Sequence, residues 1–361
     1  DHGIPHYPSV ECSGRMPYQF LVQIDCLSHI IGSRRRKSGM NPVLSHRWQF
    51  FIDFFHYSTI LADAKINNFN GIFAAMELSK DICGFLKGKG IGCGVENVGT
   101  SEVIIAILKD GSPRAVIPVE INAKDLHEAE RQRQELQKTV SALNERYGAY
   151  PLIISEDRWR VQKDMMQKRL LSHLEIFFPI YARNCEVRRI EKAEAAGFLT
   201  ASHSYGDAAC RYRYGLYLKR HTGHAAEEDN ASGHAPGTLV AVATFSNARK
   251  WIKGGKAIRS HEWTRYASLP EVRVNGGMGK LLKAFIKDIL PDDIMSYADL
   301  EWSEGKVYEH LGFTFEEIKD PVTFIIDDEY RRSPLRQAMT GKLIFRNLGS
   351  RKYRLKLTEY E

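Results

Sequence analysis

At 361 residues, with 43% hydrophobic and 26% charged positions, the chain has the composition of a soluble globular protein long enough for two cores. No apolar run approaches eighteen residues, so neither a helical membrane span nor a membrane partner is expected. The formal charge is +7, and residues 330–361 alone hold nine Lys/Arg against two acids (9 − 2 = +7), which leaves the rest of the chain neutral.

The six cysteines, Cys12, Cys26, Cys83, Cys93, Cys185 and Cys210, form no C-x-x-C pair. They argue against a zinc ribbon and read as reduced, partly buried thiols in a reducing compartment. The chain begins at Asp1, which fits a processed or trimmed product from which any targeting peptide would already be missing.

Residues 1–45 read as an irregular arm carrying the basic run Arg34-Arg35-Arg36-Lys37. Helical periodicity starts near His46 and resumes over 71–87, where Phe73, Met76, Leu78 and Ile82 share a core face. Two β-branched runs, Glu102–Leu108 and Ala115–Asn122, flank Asp110-Gly111, a hairpin signal. A charged helix over Asp125–Tyr147, a buried strand at Pro151–Ile154 and a helix over Trp159–Leu174 complete an α/β unit spanning 46–175.

A second unit, 181–328, begins with a strand at Cys185–Ile190, a helix over Glu191–Ala201 and a strand at Arg211–Leu218. Residues 221–236 lack apolar periodicity and read as a surface insertion. Strands follow at Thr238–Phe245 and Glu262–Ser268, separated by a polar basic loop. Next come a Gly-rich turn, a helix over Gly279–Ile289, a strand at Ile294–Ala298, a short helix over Gly305–Leu311 and a strand at Val322–Ile326. The expected class is therefore α/β (α+β), closed by a basic C-terminal tail over 329–361. That tail carries Tyr330, Phe345, Tyr353 and Tyr360 and reads either as polyanion-facing or as merely solvated.

The chemistry concentrates in two stretches. Asn275-Gly276-Gly277-Met278-Gly279-Lys280 opens a helix after a β-like run. Glycines at a helix N-terminus let backbone N–H groups approach and hold a pyrophosphate without a metal. Alone, this reads more readily as an ordinary strand-to-helix turn. About twenty residues later, after a strand, comes Lys306-Val307-Tyr308-Glu309-His310-Leu311-Gly312-Phe313.

Together the two stretches resemble the acyl-CoA-binding half of a GNAT-type N-acyltransferase, except that Val274 stands where the family's Arg or Gln opens the Gly motif. The resemblance extends from Trp159 to Tyr353 through IYARNCEVRRI, FLTASHSYG, EWTRYASL and FRNLGSRKY, and is to a GNAT-like domain of phage proteins associated with homing endonucleases. More distantly, it is similar to Mom-type DNA-modifying proteins.

That resemblance implies an acetyl-CoA or other acyl-CoA donor bound by residues 275–280, and DNA or another amine as acceptor. It makes Tyr308 the general acid, Asp299 the general base or amine-orienting group, and Arg265 an anion clamp. A structural Arg265–Asp299 ion pair is the plain alternative. His203 fills the position of the family's helix-ending His.

The first unit resembles a PD-(D/E)XK nuclease core of the Vsr or RAP type. Such a core needs acids on both hairpin strands plus a Lys, to hold Mg²⁺ and activate water. Here Glu120 is present, Asn122 replaces the Lys, and Glu77 on the preceding helix is a third acid. Glu102 is a poor substitute on the first strand, so cleavage reads as lost, while Lys124 could stand in for the missing Lys if the backbone bulges there. Two rival readings stand beside acyl transfer: a Mg²⁺-dependent endonuclease using Glu120, and a non-catalytic DNA- or RNA-binding subunit of a nucleoprotein assembly.

Overall fold

Period-two alternation organises the first sheet in the computed structural model, which describes residues 78–220, 234–335 and 342–360. In β2 (Ser101–Ile107), Val103 and Ile105 face one side while Ile104 and Ala106 face the other. Both faces are covered, which is why the strand reads as a continuous apolar run. Helix α1 (78–88), α3 (Glu156–Val161) and α4 (Lys163–His173) cover one face with Ile82, Leu86, Trp159, Met166 and Leu170. Helix α2 (Leu126–Tyr147) covers the other with Leu136, Val140 and Leu143.

Local chemistry sets the joints. Gly111 adopts φ +84° in the hairpin expected at Asp110-Gly111. Asp125 caps α2 by accepting from the Glu128 amide at 2.8 Å, and Glu128 accepts in turn from the Lys124 amide at 2.9 Å. The strand order is β1-β2-β3-β4, with β1 (Cys93–Val98), β3 (Pro113–Val119) and β4 (Leu152–Ser155). The β3–β4 pair is parallel and is joined by α2 as its crossover.

The second sheet runs β13-β17-β12-β10-β8-β7-β6, with β9 paired to β10. Its strands are β6 (Cys185–Arg189), β7 (Tyr212–Leu218), β8 (Leu239–Phe245), β9 (Arg249–Lys253), β10 (Lys256–Ser268), β12 (Asp293–Asp299), β13 (Thr314–Lys319) and β17 (Ser350–Lys356). Only β10–β12 is parallel. Helix α6 (Gly277–Ile289) packs one face through Phe285, which stacks on Phe245 at 3.9 Å between ring centroids. Helix α5 (Lys192–Ser202) sets Ala195 and Leu199 against Val242 and Ala267 on the other face. Short strands β5 (Phe178–Tyr181) and β11 (Val272–Asn275) pair in parallel; β14 (Thr323–Ile326), β15 (Arg332–Pro334) and β16 (Leu343–Arg346) form a small sheet. The last helix, α7 (Lys306–His310), follows β12.

Two expectations change. The segment 329–361 is not a tail: β17 lies between β12 and β13, with Tyr353 fully buried. Its charge is met internally, Arg354 by Asp293 at 2.9 Å and by Glu316, Lys352 by Glu316 and Glu317 at 3.0 Å each. Nor does the chain divide between 175 and 181, because the described residues belong to one compact unit, Gly71–Glu361. Leu348 completes the α2 core, and Ile121 packs with Phe324, Ile326 and Phe345. The expected arm over 1–45, the helix from His46, Phe73, Met76, Glu77 and most of the 221–236 insertion lie outside the described residues.

A buried ionic knot ties these parts together. Arg332 on β15 reaches Asp157 on α3 at 3.1 Å through Nη2, Glu301 after β12 at 2.9 Å through Nη1, and Ser155 Oγ at 2.7 Å. Asp157 and Glu301 are each 2% exposed. Replacing Arg332 by Met strands Asp157, leaves Glu301 only Arg158 at 3.5 Å, and should lower unfolding free energy by about 3–5 kcal/mol. Urea denaturation measures it, and an unchanged midpoint would show the knot to be dispensable.

Candidate functional site

Strand β10 changes partners midway, and that change makes the site. Ser260–Glu262 pair in parallel with Asp293–Met295, but from Trp263 onward β10 pairs with β8. From Ser296 onward β12 pairs with β17 alone. A bulge between Trp263 and Arg265 bends β10 away. The parted strands open a V-shaped cavity of about 660 Å³, within the range of small-ligand pockets.

Tyr308, Asp299, Arg265 and His203 all line this cavity, as does Met278 from the Gly turn. Tyr308 is aimed by its short helix. Gly305 begins that helix at φ +81°, where a Cβ would come within 2.6 Å of Tyr353 Cε2 and 2.7 Å of Ala298 Cβ, so only glycine fits. The Tyr308 ring stacks on Tyr353 at 5.3 Å and meets Trp263 edge-on at 6.2 Å. Its hydroxyl is 2.9 Å from Ser296 Oγ, which also lies 3.0 Å from the Trp263 carbonyl. Burial raises the phenol's proton affinity, with the Ser296 hydrogen bond opposing, so Tyr308 is a proton donor at neutral pH.

Asp299 closes β12 and accepts from the Glu301 amide at 2.9 Å. Burial, reinforced by the nearby Glu301 charge, pushes its carboxyl up to about 6. Arg265 donates to the carbonyls of Gly206 at 3.2 Å and Thr264 at 2.8 Å. The ion pair with Asp299 considered as its structural role is not among those the described residues make, and burial lowers Arg265's proton affinity. Burial also lowers the His203 imidazole to about 4, with Arg265 and Arg158 adding repulsion, so His203 is neutral.

The Gly turn is shaped by packing as well as by chemistry. Gly276 has φ +76°. A Cβ on Gly277 would lie 2.9 Å from Val274 Cγ1 and 3.0 Å from the Tyr266 hydroxyl. The amides of Gly277, Met278 and Gly279 have no carbonyl within α6 to bond, which leaves three donors at a helix start. Asn275 is exposed, and Lys280 is committed elsewhere, its Nζ reaching the carbonyls of Ala182 at 2.9 Å and Cys185 at 2.6 Å. With Val274 buried against Gly277, the turn itself brings no side-chain cation to the cavity.

Among the described residues, which do not include Glu77, the nuclease-like remnant is not grouped around a metal site. Asn122 is exposed and its side-chain oxygen accepts from Gln132, Glu102 accepts from Ser79 Oγ at 2.8 Å, and the Lys124 amide serves the α2 cap. Glu120 follows β3, half-buried. Among the described residues no three His, Cys, Asp or Glu side chains are grouped to hold a metal ion, and no helix is long and apolar enough to cross a membrane. Cys83, Cys93, Cys185 and Cys210 are free thiols.

Residues without a sequence signal also line the cavity. Ser296 is a small polar residue inside an apolar strand, and Arg169 on α4 looks like any solvated helix cation. The sequence matches none of the protein-family models and none of the curated proteins to which it was compared. Among solved structures it is similar to Eis1 from Mycobacterium abscessus at 19% identity and TM-score 0.27, over 44% of this chain and 37% of that one. A likeness that loose supports no inference about this chain.

The Asp299 carboxyl generates a stability test. Its folded proton affinity lies above the ordinary 3.8, so the native state binds the proton more tightly and stability falls as pH rises from about 4 to about 6. Asp299→Asn should lose that decline and be at least as stable as wild type at pH 7.5. Urea midpoints at pH 4.5 and 7.5 test this, and parallel changes in both proteins would refute it.

Proposed function

We propose that the chain is a GNAT-like N-acyltransferase that binds an acyl-CoA donor in the V between β10 and β12. One observation carries this reading: the parted strands, Met278 from the start of α6 and Tyr308 border the same cavity. The V is wide enough for a pantetheine arm, and the helix start suits a pyrophosphate. The acceptor amine enters near Asp299, which takes a proton from it as the nitrogen attacks the thioester carbon. When the C–S bond breaks, Tyr308 gives its proton to the departing thiolate. The Asp299 carboxyl is half ionised near pH 6, so turnover gains its base through that range.

Isothermal titration with acetyl-CoA is the first test. Gly277→Glu should abolish binding by overfilling the turn and opposing the phosphates. Tyr308→Phe should leave the dissociation constant unchanged and lower kcat by about 10²-fold or more. No binding by the wild type would end this reading.

A separate observation favours nucleic acid as a partner. The β9–β10 hairpin carries Arg249, Lys250, Lys253 and Lys256 around Trp251 and Ile252, which are 51% and 75% exposed. Cations tracking phosphates beside an aromatic ring suit a single strand. Binding of a labelled oligonucleotide should weaken steeply with salt, and Arg249→Ala/Lys250→Ala should flatten that slope by roughly one to two counterions. A slope unchanged in the double variant would remove the hairpin from consideration.

A further inference from the structure

Helix α4 belongs to the first sheet's layer, yet it presents Arg169 to the cavity beside β10 and β12. Arg169 donates through Nη2 to the Trp302 carbonyl at 3.1 Å, and its guanidinium lies 5.1 Å from the Trp302 ring centroid. Its Nε is enclosed and meets no hydrogen-bond acceptor; the same holds for Trp302 Nε1. Arg169 and Trp302 thus lie side by side on the cavity wall, each with an enclosed N–H donor that has no acceptor.

The charge is as unmet as the hydrogen bonds. No carboxylate pairs with Arg169 among the described residues; its charged neighbour is Arg273, and burial with that repulsion pushes the guanidinium down to about 10. His173 beside it is driven neutral, to about 4, by burial and by Arg169 itself. A buried cation left unpaired is costly, and the fold tolerates it here on the wall of an open cavity.

Its location identifies the ligand. The Lys168 ammonium lies 3.7 Å from Glu271, which sets α4 against the segment leading into β11 and the Gly turn. Val272 and Met278 line the cavity together with Arg169. This is the wall where α6 starts, and where Val274 leaves the turn without a cation.

We infer that Arg169 and Trp302 bind a phosphoryl group of the ligand in this cavity, Arg169 supplying from the first sheet's layer the positive charge that the Gly turn lacks. The inference rests on the acyl-CoA reading for one point only, the assignment of that phosphoryl group to the donor's pyrophosphate.

Titration of the full chain with acetyl-CoA, acetyl-pantetheine and inorganic pyrophosphate tests it, in wild type and in Arg169→Met. The variant should bind acetyl-CoA and pyrophosphate at least tenfold more weakly and acetyl-pantetheine, which has no phosphate, equally well. Equal acetyl-CoA affinity in both proteins overturns the inference and leaves the acyl-CoA reading intact. Arg169-dependent pyrophosphate binding without any acetyl-CoA binding upholds the anion site and removes the donor assignment. Without ligand, Arg169→Met should melt at or above the wild-type temperature, since an unpaired cation is removed; a clear fall would make Arg169 structural and overturn the inference. Arg169→Lys should restore part of the pyrophosphate affinity.

Discussion

Arg332 is the constraint on which the rest of this structure depends. Its guanidinium satisfies Asp157 from the first sheet's layer and Glu301 from the end of β12, and it packs against the rings of Phe345 at 4.3 Å and Phe324 at 5.3 Å. Burial alone would raise the Glu301 carboxyl, but Arg332 and Arg158 outweigh it and keep Glu301 ionised. That retained charge, two residues from Asp299, adds to burial in raising the Asp299 carboxyl. The contact that joins the two layers thus also bears, through Glu301, on the proton affinity of the cavity carboxyl Asp299. Structure and chemistry are coupled through one side chain.

The same joining makes the cavity composite. Its wall takes Met165, Arg169 and Ser172 from α4, Tyr266 from β10, Asp299 from β12 and Gly349 from the turn before β17. Trp302 packs against the first sheet's core while its ring lies under Arg158 at 5.4 Å and Arg169 at 5.1 Å. Among the described residues the first sheet has no metal-binding group of its own, so its visible part in the chemistry is as a supplier of cavity wall.

What was legible in the sequence follows from how local each signal is. The Asp110-Gly111 turn is written in adjacent residues and stands where expected, while the helix after the Gly turn starts at Gly277, two residues before the expected Gly279. Tyr308, Asp299 and Arg265 line one cavity because strand ends and a following short helix converge by topology. β17 was not legible: its alternation is carried by Tyr353 and Leu355 among five cationic and polar residues, and the acids that neutralise those cations come from β12 and β13. Arg169 was hidden for the same reason. Nothing within α4 distinguishes a cation facing a cavity from one facing water.

The central position of β17 has a consequence in time. β12 ends at Asp299 and its partner begins at Ser350, 350 − 299 = 51 positions later. At typical rates of synthesis that gap corresponds to roughly 3–10 s on the ribosome. Throughout it, the far edge of β12 has no neighbour, β13 once made has nothing to pair with, and the cavity lacks lining that comes after Asp299, such as Tyr308 and Gly349. An apolar strand such as Ile294–Ala298 waiting with an open edge is a template for pairing with other chains. The newly made protein therefore passes through a vulnerable interval in which neither the sheet nor the cavity is complete, and the sheet is completed when Tyr353 reaches the core.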